Sequence, residues 1–198
     1  DAVAFGSPNY FSNDSTCSVN MQHAALSLFG FGEDRLAYDY KNAKHVVLQT
    51  RNVFESIDVQ ECNDLMDGLQ KGCKLTVIDV RATVTAGKAD RFLLIRPGTD
   101  YALNLAIINV LIKRELYNKS FVHDWVHGLD ELMNLVEPYS PESVEAETGI
   151  PAAQIVALAE DLAQAAPAVI WHPGWMTSRY NDSFYVSRSA YLINALLG

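Results

Sequence analysis

Residues 5–23 read FGSPNYFSNDSTCSVNMQH, with one cysteine, Cys17, among Ser, Thr, Asn and Gly and a histidine, His23, six positions on. A thiol in such a polar loop has three uses: packing, half of a disulfide, or a soft ligand to a metal. Cys62 lies in a helical pattern and Cys73 in a turn before an apolar run, where a small buried thiol is the simpler reading. The cysteines number three and no CxxC spacing occurs, so no closed disulfide framework is implied. Four more polar clusters follow along the chain. They are Gln49-Thr50-Arg51-Asn52 with Glu55 and Ser56; Asp79-Val80-Arg81-Ala82-Thr83; Arg96-Pro97-Gly98-Thr99-Asp100; and His172-Pro173-Gly174-Trp175 running on to Arg179. Arg51, Arg81 and Arg96 are of the type that offsets phosphate charge. An acidic residue in the place of Asp79 suits ribose hydroxyls. Asp100 suits either a helix cap or acceptance of hydrogen bonds from a base such as guanine.

Each cluster directly follows a short apolar run: residues 45–49, 75–79, 92–95 and 168–171. The runs are continuous rather than alternating, which predicts strands covered on both faces. Helical spacing occupies residues 58–71, where Gly72 is the stop, then 101–116 after the Pro97-Gly98 break, and 151–165, which Pro151 opens and Pro167 ends. Strands alternating with helices predict an α/β fold, a Rossmann-like, mainly parallel sheet flanked by helices, forming one domain over residues 1–198. Ligands of such sheets gather at the carboxyl ends of the strands, which is where the clusters fall.

The formal net charge of -9 argues against nucleic-acid binding and against adhesion to acidic membranes. No apolar run reaches the roughly 20 residues of a membrane span, so no direct membrane insertion is expected. Neither GxGxxG nor GxxxxGK[ST] occurs, which excludes a simple nicotinamide-dependent dehydrogenase and a P-loop nucleoside triphosphatase. No targeting peptide is visible, and the chain reads as a piece of a longer protein. His23, His123 and His127 read as structural; the last two stand at i and i+4 on a short helix, with no third ligand convergent.

A cysteine after a GSxN-like stretch, then RNxxES, VID-x-R-x-T with a later AD, and IRPGTD before an apolar helix, resembles the molybdopterin oxidoreductases of the dimethyl sulfoxide reductase family. The later stretches YNKSFVHDWVHGLDEL and YSPESVEAETGIPAAQIVALAEDLA fit in order and spacing, so the resemblance covers nearly the whole chain. WHPGWMTSRYNDSFYVSRSAYLINALLG is most similar to the branch of polysulfide, thiosulfate and tetrathionate reductases, with arsenate reductases nearby. The resemblance departs at two places: the usual DPR is Asp79-Val80-Arg81, and Thr50 replaces the small residue, usually Gly, before RN.

The resemblance implies the middle of a larger catalytic subunit holding one guanine dinucleotide of a bis(molybdopterin guanine dinucleotide) molybdenum cofactor. It implies a 4Fe-4S cluster in an upstream part of the full protein. Cys17 is then the protein ligand to molybdenum, with the Ser and Asn residues around it shaping the loop that presents its sulfur. Arg179 becomes a cation for an anionic small-molecule substrate, and His172 a donor behind it or a strand-end residue. The cofactor-binding set comprises Arg51, Asn52, Glu55, Ser56, Asp79, Arg81, Thr83, Arg96, Gly98, Thr99, Asp100, Gly174 and Trp175, with Gly174 allowing close approach to a pterin. The implied reaction is two-electron chemistry on polysulfide, thiosulfate or tetrathionate. An iron–sulfur electron-transfer subunit and a membrane-anchor subunit are the implied partners, and twin-arginine export to the periplasm the implied location, with the cytoplasm as its alternative. Competing readings are a catalytically retired scaffold of a respiratory complex, the central domain of a thiamine diphosphate enzyme, and a generic nucleotide-binding domain.

Overall fold

The computed structural model describes residues 6–9, 17–56 and 58–198. Its elements in chain order are α1 (Val19–Phe29), β1 (His45–Gln49), α2 (Val59–Gln70), β2 (Lys74–Asp79), β3 (Arg91–Leu94), α3 (Asp100–Lys113), α4 (Lys119–Trp125), α5 (Leu129–Val136), α6 (Pro141–Thr148), α7 (Ala152–Ala165), β4 (Val169–Pro173) and α8 (Ser183–Leu197). The strands form one all-parallel sheet in the order β3-β2-β1-β4. Every carboxyl end therefore lies along one edge.

The apolar runs do form the strands. HVVLQ of β1 is buried throughout because it is central and covered on both faces. β3 departs from the continuous-burial expectation. It is an edge strand, and its Leu94 is 59% exposed.

One face of the sheet carries most of the core. There α3, DYALNLAIINVLIK, is buried at Asp100 and from Ala102 through Ile112 and packs among α5, α6, α7 and α8. A helix apolar all round is expected where neighbours cover it on every side. The opposite face is thinner: α2 and the segment around Tyr38 and Tyr40 cover Val46, Leu48, Leu75 and Val77. Asp58 starts α2 by accepting from the backbone N–H groups of Gln60 and Glu61, and Ser140 caps α6 with Pro141 in its first turn. Gly72 follows α2 with φ of 93°, as its place after the last helical residue requires. His127 lies beyond the end of α4, so it and His123 do not share a helix.

Candidate functional site

The chain leaves β1 for β2 on one side and returns to β4 on the other, so the sheet changes direction between β1 and β4. A crevice at such a switch point is the usual ligand position in open α/β sheets. The register ends there with Gln49 opposite Pro173. The Gly174 N–H donates to the Gln49 carbonyl at 2.6 Å. A Cβ on Gly174 would lie 2.3 Å from the carbonyl oxygens of both Gln49 and Thr50. The close approach that requires this glycine in the structure is to the end of β1.

Thr50, where the resemblance expects glycine, has φ of 52°, a left-handed conformation that β-branched residues rarely adopt. Its backbone N–H is held by the Ile78 carbonyl at 2.7 Å, and its hydroxyl is buried without a partner among the described residues. The packing of three strand ends imposes this conformation, which explains why a glycine suits the position.

Beside the switch point a cleft of about 310 Å³ is lined by Arg51, His172, Trp175, Tyr38, Glu33 and Glu61, among others. Arg51 does not stand free for a phosphate. Its guanidinium forms an ion pair with Glu61 of α2, and both side chains are 10% exposed. The Tyr40 hydroxyl donates to the same carboxylate at 2.8 Å, and the Arg51 guanidinium carbon lies 5.4 Å from the centre of the Trp175 ring. His172 packs against Tyr38, the rings tilted by 33° with centres 4.2 Å apart, and its Nδ1 donates to the Pro173 carbonyl at 2.9 Å. Burial first, and the Arg51 charge second, push the imidazole down to about 3. It is therefore neutral near neutral pH, and its Nε2, 3.9 Å from Glu61, makes a dipolar contact rather than an ion pair. Burial likewise pushes the Glu33 carboxyl above its ordinary value. With Glu33, Asp34, Asp58, Glu61 and Asp64 around it, this cleft repels rather than attracts a pyrophosphate.

Asp100 is fully buried in the first turn of α3 and does not cap the helix. Its Oδ1 accepts from Gln49 Nε2 at 3.1 Å; the same amide donates to Asn104 at 3.0 Å and accepts from the Trp171 indole at 2.9 Å. Through Oδ1, Asp100 thus braces the end of β1. Its Oδ2 has no partner among the described residues, and burial pushes the carboxyl up to about 6.

The exposed Arg96 guanidinium donates to the Ala146 carbonyl in α6 and lies along Gly149. Gly98, with φ of 82°, and Thr99, whose hydroxyl donates to the Arg96 carbonyl at 2.8 Å, shape the turn that delivers Asp100. Thr83 accepts from the Ala86 N–H at 3.0 Å and so starts a local turn. The RNxxES residues form a local network, in which Asn52 donates to Glu55 and accepts from the Thr85 hydroxyl at 2.7 Å, while the Ser56 N–H donates to the Val53 carbonyl at 3.0 Å. Asp79 accepts from the Val80 N–H at 2.7 Å, and Arg81 is exposed at the end of β2.

Cys17 is half-buried just before α1. A guanidinium N–H of Arg179 donates to its sulfur at 3.7 Å, and the other Nη atom lies 3.8 Å from the Met176 sulfur. Residues 162 positions apart are thereby joined, because α1 packs on α8 and on the short 3-10 turn Trp175–Arg179. No Arg179–Asp182 ion pair occurs among the described residues. Ser12, Asn13 and Ser15, expected to shape the loop around Cys17, lie outside the described residues. As a donor set, a half-buried thiol beside a guanidinium, near a strand edge bearing Asn52, Glu55, Asp79 and Arg81, fits a soft metal carried on an anionic organic cofactor. The thiol would hold the metal, and the strand-edge groups its nucleotide.

Sequence reasoning missed Glu33, Tyr38, Tyr40 and Glu61. Glu61 alone left a trace, as a polar residue at the start of the α2 pattern.

No family model matches the chain. The thiosulfate reductase molybdopterin-containing subunit PhsA of Salmonella typhimurium is 36% identical over 197 residues, covering 100% of this chain and 26% of that protein. Acetylene hydratase of Syntrophotalea acetylenica is 33% identical over 200 residues, covering 98% of this chain and 26% of its own length. The arsenate respiratory reductase molybdopterin-containing subunit ArrA of a Shewanella strain is 30% identical over 225 residues, covering 98% of this chain and 25% of that subunit. Among solved structures, acetylene hydratase from Pelobacter acetylenicus superposes with a TM-score of 0.86 at 31% identity, over 98% of this chain and 26% of that one. The chain thus spans about a quarter of the length of the curated relatives it matches.

Proposed function

The chain belongs to the dimethyl sulfoxide reductase family of molybdopterin oxidoreductases, and from that premise we propose that it is the central, dinucleotide-binding domain of a larger catalytic subunit acting on an inorganic sulfur compound. The observation that carries this reading is the similarity along the whole of this chain to the thiosulfate reductase subunit, together with a cysteine sulfur held beside a guanidinium. The cofactor is molybdenum on bis(molybdopterin guanine dinucleotide), which when bound supplies two-electron redox chemistry. Cys17 is its thiolate ligand. The strand-end groups Asn52, Glu55 and Arg81, with Asp79, hold the guanine dinucleotide, and Trp175 walls the crevice. Arg179 attracts the substrate anion, whether thiosulfate, polysulfide or tetrathionate, because its charge persists at every working pH. His172, buried and neutral, holds the strand end rather than moving a proton.

The complete protein carries a 4Fe-4S cluster in another domain. That cluster would exchange electrons with an iron–sulfur subunit, and a separate membrane-anchor subunit would hold the complex on the periplasmic side. The similarity to acetylene hydratase supports a second reading, water addition without net electron transfer, in the same domain.

The test is the purified full-length protein. Molybdenum and acid-released guanosine monophosphate are expected at one and two equivalents, with viologen-linked reduction of thiosulfate, polysulfide or tetrathionate. C17A is expected to abolish turnover with circular dichroism unchanged. A protein without molybdenum refutes the enzyme reading, and full activity in C17A refutes the ligand. Hydration of acetylene with no sulfur-compound reduction would favour the second reading.

A further inference from the structure

The geometry points to Arg179 as the residue that sets the reduction potential of the metal, by donating a hydrogen bond to the Cys17 sulfur and not only by attracting substrate. The inference rests on the proposed role of Cys17 as metal ligand. Its observation is the pair of sulfur contacts. One Nη atom of Arg179 lies 3.7 Å from Cys17 Sγ, and the other lies 3.8 Å from Met176 Sδ. A guanidinium that served substrate alone would have both ends open to the anion. Here the planar fork is spanned between two sulfurs on opposite sides, and Met176 aims it at Cys17.

The short 3-10 turn Trp175–Arg179 makes that aim possible. It places Met176 and Arg179 three residues apart, on one side of the turn. The turn is anchored at its start, where the Thr177 N–H and the Gly174 carbonyl are bonded at 3.1 Å and the Thr177 hydroxyl donates to the same carbonyl at 2.6 Å. Gly174 in turn is locked onto the end of β1. The position of the cation is thus inherited from the sheet.

The sign follows from charge. A positive donor on a ligand sulfur withdraws electron density that the sulfur would otherwise give to the metal. The state of the metal with more electrons is then favoured, so the Arg179 contact raises the potential. Arg179 acts here through Cys17, as a positioning and tuning residue.

The experiment is a dye-mediated redox titration of the full-length holoprotein with no substrate present, followed by the electron paramagnetic resonance of its Mo(V) state. R179M removes the charge and the donors while keeping an apolar stem, R179K keeps a point charge, and R114M removes an exposed cation that pairs with Glu160 far from the turn. In R179M the ratio of reduced to oxidised metal at fixed poise is expected to fall at least tenfold, a downward shift of about 30 mV for a two-electron couple. R179K is expected to fall between R179M and the parent, with altered Mo(V) g-values in both, and R114M to match the parent. A potential and g-values unchanged in both Arg179 variants overturn the inference, and a raised KM alongside them leaves Arg179 as a substrate cation only. Should R179M not retain metal, R179K decides by the same measurements. A parent protein devoid of molybdenum overturns the proposed function instead, and this inference with it.

Discussion

Asp100 carries a buried electrostatic cost, and its removal should reshape the pH dependence of stability. The side chain is 0% exposed, with one oxygen satisfied by Gln49 and the other without a partner among the described residues. Burial pushes its carboxyl from an ordinary 3.8 up to about 6. That rise makes the ionised form costlier in the folded chain than in the unfolded one by about 3 kcal/mol. Below the unfolded value both states are protonated and the penalty is absent. As pH rises through the folded value the folded chain must bury a charge that the unfolded chain gives to water. The contribution of Asp100 to stability is therefore fully present below pH 3.8 and lost above about 6. In D100N the side chain cannot ionise, and its oxygen still accepts from Gln49. Urea unfolding of the parent and D100N chains, from about pH 3.5 to 7, isolates the effect from all other carboxylates as a difference. The stability of the parent relative to D100N is expected to fall by about 3 kcal/mol across that range. Parallel pH profiles would refute the reasoning, because they would mean that Asp100 titrates alike in both states.

Substitutions at three further positions test the strand-end packing. E61A leaves the Arg51 guanidinium nearly buried without its counter-charge, and should cost about 3 kcal/mol in urea unfolding. E61Q, which keeps an acceptor for Tyr40, should cost less. G174A drives a methyl group into two carbonyl oxygens and should destabilise by about 3 kcal/mol or prevent accumulation of folded protein, read from the thermal midpoint. T50G relieves the left-handed strain of a β-branched residue and should stabilise by about 1 kcal/mol; a loss of stability would mean that the Thr50 methyl packing outweighs the strain.

Much of the fold was legible in the residues, because burial on both faces writes continuous apolar runs. HVVLQ coincides with β1, KLTVID carries the predicted second strand from residue 75, and the third helix pattern coincides with α7 to within a residue. A mainly parallel sheet followed from the strands and intervening helices, every observed pair proving parallel, and family membership followed from ordered motifs along nearly the whole chain. Cys17 stood out by its type and its polar loop, while its role as ligand and the role of Arg179 came from the family resemblance.

Composition could not say which polar group spends itself on which partner. Arg51, Arg81 and Arg96 look alike in sequence, yet one is bound to Glu61, one donates to α6, and Arg81 is exposed. Pairings of this kind depend on contacts between segments remote in the chain, as do Gln49 with Asp100 and Trp171. Gly174 was marked by its type, but whether the backbone it admits is a ligand or β1 was decided by the register of β1 and β4. The juxtaposition of Cys17 and Arg179 belongs to the tertiary structure alone. Residue types and their order determine which chemistry is on hand and which sheet presents it. Only packing, by bringing α1 against the turn after β4, decides which of those groups meet.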